Sequence, residues 1–379
     1  MPTPRPIQMV DLGLQYQRIK PEVDAAIHQV IESTAFIKGE PVKLFEQELA
    51  QYLGVKHVIG CGNGTDALQI ALMALGLKPG DEVITPNFTF IATVEVIALL
   101  GLTPVLVDVD REHFTLDLDS LRNALTPKTK AIIPVHLFGQ CANMEDIMAI
   151  ASARGLFVVE DNAQALGADY YFKSGITVKA GTIGQIGCTS FFPSKNLGCF
   201  GDGGALFTND DSLADEIRSI ANHGMRVRYH HDRIGVNSRL DTLQAAILRV
   251  KLKYLDEYNS SRSQAAQHYD AIFAGHKELL TPSRVSWSNH IFHQYTLRLP
   301  NSRRMDVVEA LSAAKIPSMI YYPIPLHRQK AFEEYQRVAL VKQFPNSDWL
   351  CQTVLSLPMH SELLAEDQER IGEVILDTL

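Results

Sequence analysis

Lysine favours a solvated helix face, yet Lys195 follows an apolar, aromatic run, "CTSFFPSK", and precedes a glycine-rich turn, "NLGCFGDGG". Two phenylalanines and a proline would strip water from its ammonium, lower its pKa from about 10.4 and free the amine. A free amine condenses with a carbonyl cofactor to a Schiff base; a surface lysine on a loop is the alternative. Asp161 ends another apolar run, "FVVED", and ligands of open α/β sheets gather at the carboxyl ends of strands. Its alternative is to cap a helix over "NAQAL". The stretch "GCGNGTDA" (60–67) reads as a strand, a glycine turn and a helix opening with Gly64 and Thr65. Free N–H groups and a threonine hydroxyl there suit a phosphate, unless Thr65 merely caps the helix. Pyridoxal phosphate needs an amine for its aldehyde, a carboxylate for its ring nitrogen and a cradle for its phosphate. Lys195, Asp161, and Gly64–Thr65 with Ser190 supply one each.

These groups need strand ends to hold them. "HVIGC" (57–61), "EVITP" (82–86), "PVLVDVD" (104–110), "AIIPVHL" (131–137) and "FVVED" (157–161) are β-branched or aromatic runs. Helical patterns at 64–76 and 144–155 separate some of them. The alternation predicts a mostly parallel sheet with helices on both faces. "CTSFF" (188–192) and "GALFTND" (204–210) have no full helix between them, which predicts a hairpin or an antiparallel edge strand. Residues 239–258 read as one long bridging helix. Strands at 293–299, 318–323 and 354–360 with helices at 304–316 and 364–377 predict a smaller α/β domain. The division is an arm and helix over 1–40 packing on the small domain, a large cofactor-binding domain over 41–258, and the small domain over 259–379.

The 379 residues, 46% hydrophobic and 21% charged, carry a net charge of -8. That balance argues against a general nucleic-acid binder. Five cysteines without CxxC or Cys/His spacing indicate neither disulfides nor a zinc or other metal site. No signal-peptide core or bilayer-length apolar run is present, so a soluble cytoplasmic protein is expected. A nicotinamide-dependent dehydrogenase is disfavoured: Gly60, Gly62 and Gly64 miss the dinucleotide fingerprint, whose third glycine falls where Thr65 stands.

"GNGTDAL", "GDEVITPNFTFIAT", "VVEDNAQALGA", "SFFPSKNLGCFGDGGALFTND" and "GVNSRLDTLQAAIL" together resemble the DegT/DnrJ/EryC1/StrS family of sugar-nucleotide aminotransferases. The resemblance implies the aspartate-aminotransferase fold (fold type I), pyridoxal 5'-phosphate, and Lys195 as the residue bearing the internal aldimine and acting as general base. It implies that Phe90 stacks on the cofactor ring and that Gln164 lies near the other face. It also implies that Ser190 joins Gly64 and Thr65 on the phosphate, and that Asn237 reaches the phosphate of a neighbouring subunit in a homodimer. On residue type alone, Phe90 reads as core and Asn237 as a turn residue. The implied cycle is ping-pong, with L-glutamate as donor and a nucleotide-linked keto-sugar as acceptor.

"RYHHDRIGVNSRLDTLQAAIL" and "YYPIPLH" resemble more narrowly the subgroup that aminates C3 of UDP-2-acetamido-2-deoxy-3-oxo-glucuronic acid for surface polysaccharides such as lipopolysaccharide. Arg228, His230, His231 and Arg239 gather cationic or hydrogen-bonding groups near Asn237, and arginine holds carboxylates bidentately. The same groups could hold a diphosphate or the side chain of glutamate, or His230 and His231 could lie on a solvated loop. Tyr321, Tyr322 and His327 are the further substrate candidates, with Tyr321 where the subgroup pattern has histidine. Related members act on 4-keto sugars, and a non-catalytic relative that binds the cofactor is the rival from outside enzymology.

Overall fold

Short apolar runs build the central sheet: β1 (His57–Cys61), β2 (Glu82–Pro86), β3 (Thr103–Val107), β4 (Thr129–Ile132), β5 (Phe157–Asp161), β6 (Ile186–Ser190) and β7 (Gly204–Thr208). The chain, seen here as a computed structural model, is described over residues 6–336 and 343–379. The first five residues of the expected arm lie outside the described residues. Strands follow the order β1-β7-β6-β5-β4-β2-β3. β7 runs antiparallel to both β1 and β6, while the other neighbours pair in parallel. The antiparallel strand expected after Lys195 is therefore present, but it lies inside the sheet, because β1 covers its outer side.

Successive residues of the parallel strands feed opposite cores. Val83, Ile133 and Val159 join Leu68, Ile97 and Ile217 from one helical layer. Ile84, Ile132 and Val158 join Leu121, Met144 and Ile147 from the other. A sheet buried on both faces has no polar side to alternate with, which is why its strands read as unbroken apolar runs. Because β7 opposes both β1 and β6, those two strands share a direction. The carboxyl ends of β1, β2, β5 and β6 thus meet along one rim.

A second sheet pairs β8 (Tyr295–Arg298) with β9 (Val354–Leu357), antiparallel. Leu297, Leu355, Leu311 of the helix Asn301–Ala313 and Ile371 of the helix Ala365–Thr378 share a separate core, which Ile7 also enters. Three expectations change here. The long helix over 239–258 is two, Thr242–Leu252 and Leu255–Ile272; Asp256 and Glu257 in the first turn of the second favour a fresh helix start. Residues 318–323 form no strand beyond the Met319–Ser356 bridge, since Tyr321 and Tyr322 turn to pack against the cluster around Phe88. The helix Leu12–Ser33 packs its apolar face through Ile19 and Val23 on Ile247 and Val250, so its core contact is with the large domain, and it meets the small domain through polar groups, Gln15 donating to Ser361 and Arg18 pairing with Glu362.

Among the described residues, no helix is long and apolar enough to cross a membrane, and no cluster of three His, Cys, Asp or Glu could hold a metal. All five cysteines are free and buried.

Candidate active site

Asp161 closes β5, its N–H donating to the Pro134 carbonyl at 2.9 Å. No helix follows over "NAQAL", so there is none for it to cap. Its carboxylate instead accepts the Thr93 hydroxyl at 2.9 Å and the Ala163 N–H at 3.2 Å. Burial pushes its pKa up, while those two donors and the Lys195 charge pull it down. A buried carboxylate whose only nearby compensation is partial is ready to face a cationic ring nitrogen.

Lys195 sits on the segment joining β6 to β7, its backbone N–H donating to the Phe192 carbonyl at 2.8 Å. Desolvation lowers its amine to about 8, with Asp161 opposing the shift. Of the two phenylalanines before it, Phe191 is buried in the core beneath β7 while Phe192 is 53% exposed.

The phosphate turn lies beside them. Asn63 caps the helix Gly64–Ala74, accepting the Asp66 N–H at 2.8 Å, so the cap is not Thr65. A Cβ on Gly64 would come within 2.7 Å of the Ser190 Cβ; only glycine lets the helix start lie against the end of β6. Ser238 ties the next segment to this turn, accepting the Gly62 N–H at 2.9 Å and donating to Asp66 at 2.6 Å. Its neighbour Asn237 is exposed.

Phe90 follows β2 and is 54% exposed, far from the core position that its type alone predicts, with its ring 6.3 Å from that of Tyr322. Gln164 holds its amide by both ends: the oxygen accepts the Phe138 N–H at 2.7 Å and the nitrogen donates to the Tyr322 hydroxyl at 3.3 Å. Tyr321 is half-buried, its ring 6.0 Å from that of Tyr322, and burial raises the pKa of both phenols. His327 serves as an anchor. Its Nδ1 accepts from Asn87 Nδ2 at 2.9 Å, its N–H donates to Asn87 Oδ1 at 2.8 Å, and its Nε2 lies 3.6 Å from Asp348. That clasp pins the loop carrying Tyr321 and Tyr322 to the end of β2, beside Phe90.

The remaining candidates lie apart. Arg228, His230 and His231 occupy an exposed hairpin, Met225–Val227 paired with His230–His231. Arg228 lies 4.9 Å from the neighbouring Tyr229 ring, and His231 Nδ1 donates to the His223 carbonyl at 2.8 Å. Among the described residues, these side chains do not contact the groups around Lys195. Arg239 lines a separate cavity next to Ser238.

Sequence reasoning missed the support beneath Asp161. Thr93 is one part. The other is a buried pair in which His136 Nε2 donates to Glu160 at 2.8 Å, while Nδ1 accepts the Ala142 N–H at 3.2 Å. Glu160 also accepts the N–H groups of Gly181, Ile183 and Gly184 at 3.0, 2.6 and 2.6 Å. The motif "VVED" places Glu160 next to Asp161, but nothing in it tells which acid faces the cleft.

Pyridoxal phosphate fits this donor set: a depressed amine, a buried carboxylate, a glycine turn that a Cβ would close, and an exposed aromatic face. The DegT/DnrJ/EryC1/StrS aminotransferase family profile matches residues 17–376. A UDP-2-acetamido-2-deoxy-3-oxo-D-glucuronate aminotransferase of Pseudomonas aeruginosa is 48% identical over 94% of this chain and 96% of its own. A pleiotropic regulatory protein of Geobacillus stearothermophilus and a UDP-N-acetyl-3-dehydro-alpha-D-glucosamine 3-aminotransferase of Acidithiobacillus ferrooxidans are each 45% identical over 98% of both chains. A crystal structure of a family aminotransferase from Brucella abortus superposes with a TM-score of 0.92 at 42% identity, covering 98% of this chain and 99% of that one. The chain is a pyridoxal-phosphate-dependent enzyme of fold type I and belongs to the DegT/DnrJ/EryC1/StrS aminotransferase family.

Proposed function

We propose that this aminotransferase moves the amino group of L-glutamate to C3 of UDP-2-acetamido-2-deoxy-3-oxo-glucuronate, as a cytoplasmic homodimer serving surface polysaccharide synthesis. The observation that carries the reading is the match along nearly the whole chain to a relative named for that substrate, in a chain that keeps Lys195 and Asp161. A second relative is named for another UDP-linked 3-oxo sugar, which supports UDP and C3 independently of the carboxylate.

When bound, pyridoxal phosphate supplies an electron sink for the substrate carbon that loses a proton. Lys195, its amine freed near pH 8, would take that proton on Nζ and deliver it on the other side of the transferred nitrogen. Asp161, its oxygen held by the Thr93 hydroxyl, would supply the negative charge that a protonated ring nitrogen needs. Gly64, Thr65 and Ser190 take the phosphate. The exposed Phe90 ring would pack on the cofactor ring, and the doubly tethered amide of Gln164 would offer it a fixed polar contact.

Val227, Tyr229 and Ile234 are 63%, 75% and 85% exposed on and beside the hairpin, an apolar patch of the kind that marks an interface. Placed against a second subunit, the hairpin would bring Arg228, His230 and His231, with Asn237, to the neighbouring site. A carboxylate on the sugar would give those cations their partner.

The test is spectroscopic. L-glutamate should exchange the visible absorbance of the bound cofactor for the amino form and release 2-oxoglutarate. UDP-linked 3-oxo-glucuronate should then restore the visible absorbance faster than the neutral 3-oxo sugar or a 4-oxo sugar nucleotide. Preference for either competitor would replace the substrate reading. A protein that binds the cofactor but never consumes glutamate would favour a regulatory role, like the one the Geobacillus relative is named for.

A further inference from the structure

The residue next to Lys195 is Asn196, a buried side chain whose donors and acceptor are all engaged. Its Nδ2 donates to Asn259 Oδ1 at 2.6 Å and to the Ile291 carbonyl at 3.3 Å. Its Oδ1 lies 3.3 Å from His293 Nδ1. Asn259 and His293 are buried as well.

The orientation of each group follows from the one before it. A main-chain carbonyl only accepts, so the Leu166 oxygen, 3.3 Å from Asn259 Nδ2, turns the Asn259 amide with its own oxygen toward Asn196. The Ile291 carbonyl fixes the Asn196 amide in the same way. Asn196 Oδ1 then needs a donor, which makes His293 an Nδ1–H tautomer. Burial, with Lys195 and Arg262 as like charges, holds His293 well below its ordinary pKa, so the ring is neutral. Arg262 secures the same segment, its Nη1 donating to the Phe292, His293 and Met359 carbonyls at 3.3, 3.3 and 2.8 Å.

This chain of amides joins parts that amino transfer must keep in register. Leu166 belongs to the segment that follows Asp161 and Gln164. Asn259 and Arg262 lie on the helix Leu255–Ile272, and His293 leads into β8. Desolvation frees the Lys195 amine but does not place it, and misplacing a reacting group by about 1 Å can cost about 10²-fold.

We propose that Asn196, clamped by Asn259 and His293, is a positioning residue that sets where the Lys195 amine stands relative to Asp161. The proposal rests on Lys195 being the lysine that holds the cofactor.

His293→Leu removes the donor, whereas His293→Asn keeps an N–H near the place of Nδ1. Stopped-flow capture of pyridoxal phosphate by the apo-protein and the single-turnover spectral change with L-glutamate read the clamp independently. His293→Leu should lower the capture plateau and the glutamate rate constant by about tenfold. The midpoint of the capture profile should stay near pH 8, and the half-saturating glutamate concentration should not move. His293→Asn should recover most of both rates. A contact that merely stabilises the fold would lower the melting temperature and leave both rates of the folded variant alone. That result overturns the proposal, as does a His293→Asn variant no faster than His293→Leu. If His293→Leu does not fold, Asn259→Ala, which withdraws one acceptor from Asn196, should slow both rates several-fold, and unchanged rates overturn the clamp. Borohydride reduction followed by peptide mass spectrometry tests the reading beneath it. Cofactor fixed on another lysine overturns both, whereas cofactor on Lys195 with unchanged rates overturns the clamp alone.

Discussion

Burial strips water from the Lys195 amine and brings its pKa to about 8, while the Asp161 charge resists the change. Only the neutral amine attacks an aldehyde. Cofactor capture by the apo-protein should therefore accelerate as pH rises toward 8 and level off above it, measured by stopped-flow absorbance. A rate that keeps climbing through pH 9, as an amine of ordinary pKa near 10.4 would give, would remove the desolvation argument. Lys195→Ala should abolish the visible band and cut amino transfer by at least about 10²–10⁴-fold in a glutamate half-reaction assay. Thr93→Val removes a donor from the charged form of Asp161. Asp161 should then hold its proton to a higher pH, and the holoenzyme should shed cofactor earlier on acidification, followed by loss of the visible band in a pH titration. Lys195 and Asp161 were legible in the sequence because the chemistry dictates their types and strand ends dictate their places. Thr93 and His136 were not, since hydroxyls and imidazoles in apolar surroundings are common and only the tertiary approach gives these two a partner.

Elements set how closely those residues meet. The helix Gly64–Ala74 begins against the end of β6, and Gly64 is the residue that permits it. Gly64→Ala forces a methyl against the Ser190 side chain and should weaken cofactor binding by about tenfold or more, through a shifted cradle. Fluorescence titration of the apo-variant with pyridoxal phosphate measures this, and a melting temperature near wild type would place the damage in the cradle. The strands β1, β2 and β5 could be read to the residue because each is a short apolar run with a turn at its end. The break at Lys253–Tyr254 was hidden, as apolar periodicity continues through it and only the acids after it mark a new start. The interior position of β7 was hidden too: local sequence shows that a strand lacks a crossover helix, but its second neighbour is β1, far away along the chain.

Across the whole molecule, Asp108 joins the sheet to the C-terminal region, accepting the N–H groups of Asn346 and Ser347 and the Ser347 hydroxyl at 2.9, 2.9 and 2.6 Å. Asp108→Ala strands those donors and should cost about 1–3 kcal/mol in urea unfolding monitored by circular dichroism. Subunit sharing has its own test. If Asn237 serves the neighbouring site, mixing inactive Lys195→Ala and Asn237→Ala subunits should regenerate activity, up to about a quarter of wild type for random pairing of two-fold dimers. No recovery after verified subunit exchange would confine each site to one chain. The sheet order also bears on how the chain is made. β1 leaves the ribosome early, yet among the described residues its only strand neighbour is β7, so residue 61 waits for residue 204 before its ladder can close. Until then the nascent protein carries an unpaired strand and an open core edge, the kind of species that aggregates and that chaperones shelter. Translation of the segment through Thr208 is thus the earliest point at which that ladder can close, and the core faces that Ile217 and Leu248 cover close only after it.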